Sequence, residues 1–229
     1  MKEHIYTIDL TDALAEDSEC LLCLVEKKIN ENTVEYYTGA AMMEPDVRCE
    51  TNEKGFCPVH YKKMKEVGNT LSVALVLQTR IKELNELLKT DEVQKKSIFR
   101  NKEKVDGCAE NVNSVMKSCA ACERVERQMS DCISNFVYLL SADEEFKSKF
   151  FASKGLCMKH FEKAISIAKT ELRNEMILHQ KKEMERILSD INRFVDKFDY
   201  RNADMPWENA KDAPDRAIFK LRGEYDGKF

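Results

Sequence analysis

The chain has 229 residues, enough for one large or two small hydrophobic cores. Charged residues make up 34% of it, and glycine and proline number only seven and four, which argues against a β-rich fold and for a helical one. The net charge of −4 comes from interspersed acids and bases, so no general nucleic-acid surface is expected, and no run of about 18 apolar residues is present to insert in a membrane.

Residues 1–17 form a polar lead-in, with a short strand or turn expected around Ile5–Leu10. They carry no apolar stretch or cleavage signature of an export signal. Nine cysteines without such a signal read as reduced thiols and metal ligands and point to the cytoplasm. A helix is expected from Ser18, with Val25, Ile29 and Tyr36 near one face and Gly39 and Pro45 marking its end. Met42 and Met43 read as core or contact residues. Residues 44–56 return the chain, and Cys49 within them reads as a non-ligand. A helix from Cys57 breaks at Gly68, and Asn69 or Thr70 caps the next. Val73, Leu77, Ile81, Leu84 and Leu88 then follow at helical spacing and read as core.

Residues 95–107 lose the periodicity and form the expected linker. A short helix is expected over Ala109–Lys117. The helix opened by Cys119 and Cys122 carries Val125, Met129, Cys132, Phe136 and Leu139 or Leu140 on one face, so Cys132 reads as inert core. Ser141–Glu144 stop that helix and cap the next, which runs to Phe151. A helix follows from Cys157 to Lys169. A longer one has Ile177, Met184, Ile191 and Phe198 seven apart, with Ile187 and Phe194 between. This heptad pattern suggests helix–helix packing and offers a face for a homodimer. His179 lies off the stripe and reads as solvated. The last 30 residues mix aromatic, acidic and basic side chains around two prolines, with a helix expected over Pro214–Leu221. Trp207 either anchors this segment or lines a ligand or partner surface with Arg201, Lys211, Asp212 and Arg216.

One motif occurs twice. Cys20 and Cys23 precede Gly55-Phe56-Cys57-Pro58-Val59-His60, and Cys119 and Cys122 precede Gly155-Leu156-Cys157-Met158-Lys159-His160. The offsets are 99 residues from Cys20 to Cys119 and 100 from Cys57 to Cys157. Three thiolates and an imidazole suit a tetrahedral zinc ion, and ligands at i and i+3 face one side of a turn or first helical turn. Two zinc ions are expected, with an iron–sulfur cluster as the alternative. A helix over residues 20–43 would run about 35 Å outward, and the next 14 residues could span roughly 46 Å if extended. The chain can therefore return to place Cys57 beside Cys23, and pairing within each repeat is adopted, with exchange between repeats left open. The fold expected is all-α: two tandem helical repeats of about 100 residues (1–94 and 108–200), each with a Cys3His metal site at helix N-termini. Residues 201–229 form a mostly irregular segment packing on the helical body.

The chain resembles a family of uncharacterised bacterial proteins, a domain of unknown function, over nearly its whole length. The resemblance rests on the two C-x-x-C helices, on Thr51-Asn52-Glu53-Lys54-Gly55-Phe56-Cys57 with His60, and on Ser153-Lys154-Gly155 with Cys157, His160 and Phe161. It extends to Lys197-Phe198-Asp199-Tyr200-Arg201, Pro206-Trp207 and Asn209-Ala210-Lys211-Asp212-Ala213. Asn202, Ala203 and Glu208 depart from the usual pattern there. Members are sometimes labelled ABC-transporter substrate-binding proteins, a role that needs an export signal or lipid anchor which this N-terminus does not show. No nucleotide loop or hydrolase triad is recognisable. Three roles follow: a structural or interaction protein with two zinc sites and a protein partner, a metal- or redox-responsive protein with labile thiolates, or a small-ligand binder or enzyme using Phe198–Arg216.

Overall fold

A computed structural model of the chain describes residues 6–87, 112–113, 115–202 and 204–223. The described elements are helices and short 3-10 turns, with no strand among them, so the fold is all-α. In chain order the helices are α1 (Thr7–Ala15), α2 (Leu21–Thr38), α3 (Pro45–Lys54), α4 (Pro58–Glu66), α5 (Thr70–Leu87), α6 (Ala120–Ala142), α7 (Glu144–Ala152), α8 (Met158–Ile167), α9 (Thr170–Asp196) and α10 (Ala213–Arg222). Two compact units form, residues 29–128 and residues 1–28 with 129–229, and the division falls inside α2 and α6. The linker expected over 95–107, and Leu88, lie outside the described residues.

In the unit of residues 29–128, α2 delivers Val34 and Tyr37 to a core with Met42, Val47, Phe56, Met64 and Val76. Edge-on aromatic contacts run from Tyr36 through Tyr37 and Phe56 to Tyr61, with ring centroids 5.0–5.6 Å apart. α3 opens with Pro45 and closes on Gly55, whose φ of +62° ends the helix in a conformation other residues resist. Asn69 caps α5: its Oδ1 accepts from the Ser72 N–H at 3.3 Å, and its amide donates to the Thr38 carbonyl at 2.7 Å.

In the other unit, Val125 apart, the stripe read on α6 is buried as expected: Met129, Cys132, Phe136, Leu139 and Leu140. Val125 is also buried, in the part of α6 that belongs to residues 29–128. Phe136, Phe146 and Phe150 stack edge-on. The Asp143 carboxylate accepts from the Glu145 and Phe146 N–H groups at 3.0 Å, which starts α7 where the sequence placed a cap.

Three local expectations change. Thr7–Leu10, expected in a short strand or turn, are helical, because Leu10 and Ala13, three apart, are the residues α1 buries, while Ile5 lies outside the described residues. On α5 the inward face is Val76 and Arg80, leaving Leu77 and Ile81 exposed. On α9 the inward face is Leu172, Met176, His179, Gln180, Glu183 and Ile187. His179 is thus buried, its ring 5.4 Å from those of Phe150 and Phe151. In both helices polar side chains share the inward face with apolar ones.

Candidate metal centres

The eight ligand candidates gather into two groups of four, each inside one unit. Cys20, Cys23, Cys157 and His160 form the first, and Cys57, His60, Cys119 and Cys122 the second. Within each group the ligand atoms lie within 4.8 Å of one another. The C-x-x-C of each repeat therefore meets the C-x-x-H of the other, and pairing within a repeat is overturned. The return segments are not extended: α3 takes up 10 residues of the first and α7 takes up 9 of the second. The unit boundaries fall inside α2 and α6, so each C-x-x-C and the C-x-x-H of its own repeat belong to different units, and each C-x-x-C folds with the C-x-x-H of the other repeat.

Four helix N-termini supply the ligands. Cys20 directly precedes α2 and Cys119 directly precedes α6, while Cys57 and Cys157 are the N-caps of α4 and α8. Unpaired N–H groups and the helix dipole favour thiolates there. His60 and His160 fall three residues on, in the first turn, facing the same side as the capping cysteine.

In the first centre, His160 Nδ1 lies 3.4–3.5 Å from the sulfurs of Cys20, Cys23 and Cys157, and Cys23 Sγ lies 3.6 Å from Cys157 Sγ. A single tetrahedral ion, about 2.3 Å from sulfur and 2.0–2.1 Å from nitrogen, separates its ligands by about 3.5 Å (S to N) and about 3.8 Å (S to S). The donor set is thus already at the spacing of one ion. No ligand here is more than 2% exposed. His160 Nε2 faces Glu26 Oε2 at 3.4 Å, and Lys159 holds the same carboxylate at 2.6 and 2.9 Å. A carboxylate behind the imidazole orients the ring and leaves Nδ1 for the metal. Burial works against ionisation of Glu26, but hydrogen bonds from His160 and Lys159 outweigh it and hold the carboxyl down to about 2. Burial also works against the imidazolium, yet hydrogen bonds with Cys157, Cys20 and Glu26 raise His160 to about 11. Hydrogen bonds from Cys20 and Cys23 pull the Cys157 thiol far below its ordinary range.

The second centre repeats the spacing. His60 Nδ1 lies 3.2–3.4 Å from the sulfurs of Cys57, Cys119 and Cys122, and Cys57 and Cys122 are 3.8 Å apart. Its setting differs. Cys122 is exposed and Cys57 half-buried, and the group behind His60 Nε2 is the Asn30 amide, 3.4 Å away. Burial works against the Cys57 thiolate, but the His60 backbone N–H and the neighbouring thiols of Cys122 and Cys119 bring it below its ordinary range.

Each Gly-x-Cys-x-x-His turn is braced by a buried polar side chain on the following long helix. Arg80 donates to the carbonyls of Asn52 and Glu53, at 2.7 Å to the latter. Gln180 clamps Leu156, accepting from its N–H at 3.2 Å and donating to its carbonyl at 2.8 Å. A Cβ on Gly55 would stand 2.9 Å from Arg80 Nε, and one on Gly155 would stand 3.1 Å from Gln180 Oε1. Arg80 and Gln180 are 100 residues apart, the offset of Cys57 and Cys157. The sequence reading missed both braces, although that offset was visible in it. It also missed Glu26, Asn30 and Lys220. The last is fully buried and donates to the Glu19 carbonyl at 3.0 Å and to the Lys154 carbonyl.

The remaining candidates have separate neighbours. Asp212 pairs with Arg216 at 3.1 Å, and Arg216 also pairs with Asp190 at 2.9 Å. Arg201 pairs with Asp199, Trp207 packs 5.8 Å from Phe194 with Lys197 over its ring, and Lys211 is exposed. Cys49 is exposed and Cys132 buried, neither in a ligand group, and the eight cysteines among the described residues are free of disulfides. No helix among the described residues is long and apolar enough to cross a membrane.

A curated relative, an uncharacterised 23.9 kDa protein in the xynA 3′ region of Caldicellulosiruptor sp. (strain Rt8B.4), is 21% identical over 189 residues, covering 82% of this chain and 86% of the relative. No solved structure matches. A family model described as a family of unknown function (DUF6062) matches residues 1–228, and the chain belongs to that family.

Proposed function

We propose that the chain is a cytoplasmic zinc protein whose two ions are structural and whose helical body serves protein–protein interaction. The observation that carries this reading is the gathering of eight donor atoms into two Cys3His groups at single-ion spacing. That spacing favours zinc over an iron–sulfur cluster, which spreads its ligands over several iron atoms. Four protein ligands fill a tetrahedron and leave no position for substrate, as structural zinc sites do. The internal pairing of Arg201, Asp212 and Arg216 and the packing of Trp207 on Phe194 support an anchoring role for the C-terminal segment over a ligand site.

The interaction role draws on α9. Its outer face carries Ile177, Leu188 and Val195, with Phe198 just beyond, and Leu188 and Phe198 are 58% and 74% exposed. They lie 11, 7 and 3 residues apart, spacings that keep them near one side of the helix, and a second copy of the chain is the partner proposed. Elemental analysis and a visible spectrum of anaerobically purified protein test the metal reading. Two zinc per chain without visible absorption is the expected result. Iron with sulfide, or no metal, overturns it. Light scattering tests the dimer, which Leu188→Glu should dissociate.

A further inference from the structure

Two centres with the same donor set have opposite surroundings. The first is covered on every ligand, and the end of α10 closes over it: a Cβ on Gly223 would stand 3.4 Å from Cys157 Sγ and 3.5 Å from Cys23 Sγ. The second presents Cys122 to solvent and Cys57 half so, and their sulfurs are 3.8 Å apart. A cavity of about 210 Å³, lined mainly by apolar atoms of Phe56, Pro58, Tyr61, Leu84 and Met116, opens beside Cys57. Behind the imidazole, the first centre has a carboxylate held by a lysine and the second a neutral amide. Outer-sphere carboxylates strengthen metal–histidine bonds, and Glu26 does so for the first ion.

We propose that the second centre is an oxidisable site for hydroperoxides, in which Cys57 and Cys122 form a disulfide and release the ion while the first centre keeps its own. The inference rests on the two-zinc reading. The exposed Cys122 thiolate attacks the peroxide: an S–O bond forms, the O–O bond breaks, and the distal oxygen leaves as hydroxide or alkoxide. The Cys57 thiolate then attacks the sulfenic sulfur: an S–S bond forms, the S–O bond breaks, and hydroxide leaves. Two thiolates lose two electrons and the hydroperoxide gains them. The ion retains only Cys119 and His60 and departs. The sulfurs must close from 3.8 Å to about 2.05 Å, a movement small enough for side-chain rotation.

The test begins with the purified protein carrying two zinc, so that absence of metal is read as failure of the earlier proposal alone. Hydrogen peroxide and cumene hydroperoxide are added in the presence of a chromogenic zinc chelator, and the products are mapped by mass spectrometry. One equivalent should leave on the order of tenfold faster than the other. A Cys57–Cys122 disulfide should appear, and dithiothreitol with zinc should reverse both changes. Cys122→Ser should lack the fast equivalent while retaining the slow one. Release of both ions together, or a disulfide confined to Cys20, Cys23 or Cys157, overturns the proposal.

Discussion

Gly155 and Gln180 show how tightly the ligand-bearing turns are specified. Gly155 has φ of +76°, and a methyl group there would press on Gln180 Oε1. Gly155→Ala should therefore cost about 1–2 kcal/mol, read as a lower urea midpoint. Gln180→Ala leaves both backbone groups of Leu156 unpaired beside buried ligands. It should cost about 1–3 kcal/mol and hasten zinc loss from the first centre only. His60→Ala and Cys157→Ser should each remove about one metal equivalent, whereas Cys132→Ala should leave metal content unchanged. Burial pushes the Cys132 thiol up to about 12, so it stays protonated at neutral pH. Iodoacetamide should accordingly label exposed Cys49 in the native protein and spare Cys132, as peptide mapping would show.

Among the helices, α10 bears most directly on the first centre. It sets Lys220 under the carbonyls of Glu19 and Lys154 and brings Gly223 against two ligand sulfurs. A chain ending at Asp212 should lose zinc from the first centre faster and keep the second centre's rate; equal rates would remove the covering role. The sequence made two helix starts readable, since Asn69 and Asp143 act locally through one or two hydrogen bonds, whereas α3, between Pro45 and Gly55, was read only as a return segment. It also made the eight candidate ligands readable. It misplaced the inward face of α5 and the setting of His179 on α9, because a hydrophobic stripe is a weak guide where Arg80, Gln180 and Glu183 turn inward for backbone or ion-pair contacts. Glu26 and Asn30 carry no motif and are defined only by what stands beside them in space.

Over the whole chain, the partners of each C-x-x-C were the part that spacing could not decide. The return segment can reach the ligands of its own repeat, and the near-equal offsets of 99 and 100 residues suit either pairing. Two ions held by long-range ligands should couple metal binding to folding, so chelation should lower the melting temperature and broaden the transition. Reloading stripped protein at neutral pH should release protons, because the ion displaces the one that His160 otherwise holds well above pH 7, and an indicator dye would record it. The two ligand sets are also nested along the chain. Those of the second centre are 59–65 residues apart and those of the first 134–140. As the chain leaves the ribosome, the inner ring can close once Cys122 has emerged, while the outer ring waits for His160 and its cover for Gly223. Closing the inner ring shortens the path the outer one must close. Each halving of a loop lowers its closure cost by about 0.6 kcal/mol, so the sequence of events matters more for timing than for stability. A chain interrupted between Cys122 and Cys157 would carry one finished centre and, near its beginning, two thiols still waiting for their partners.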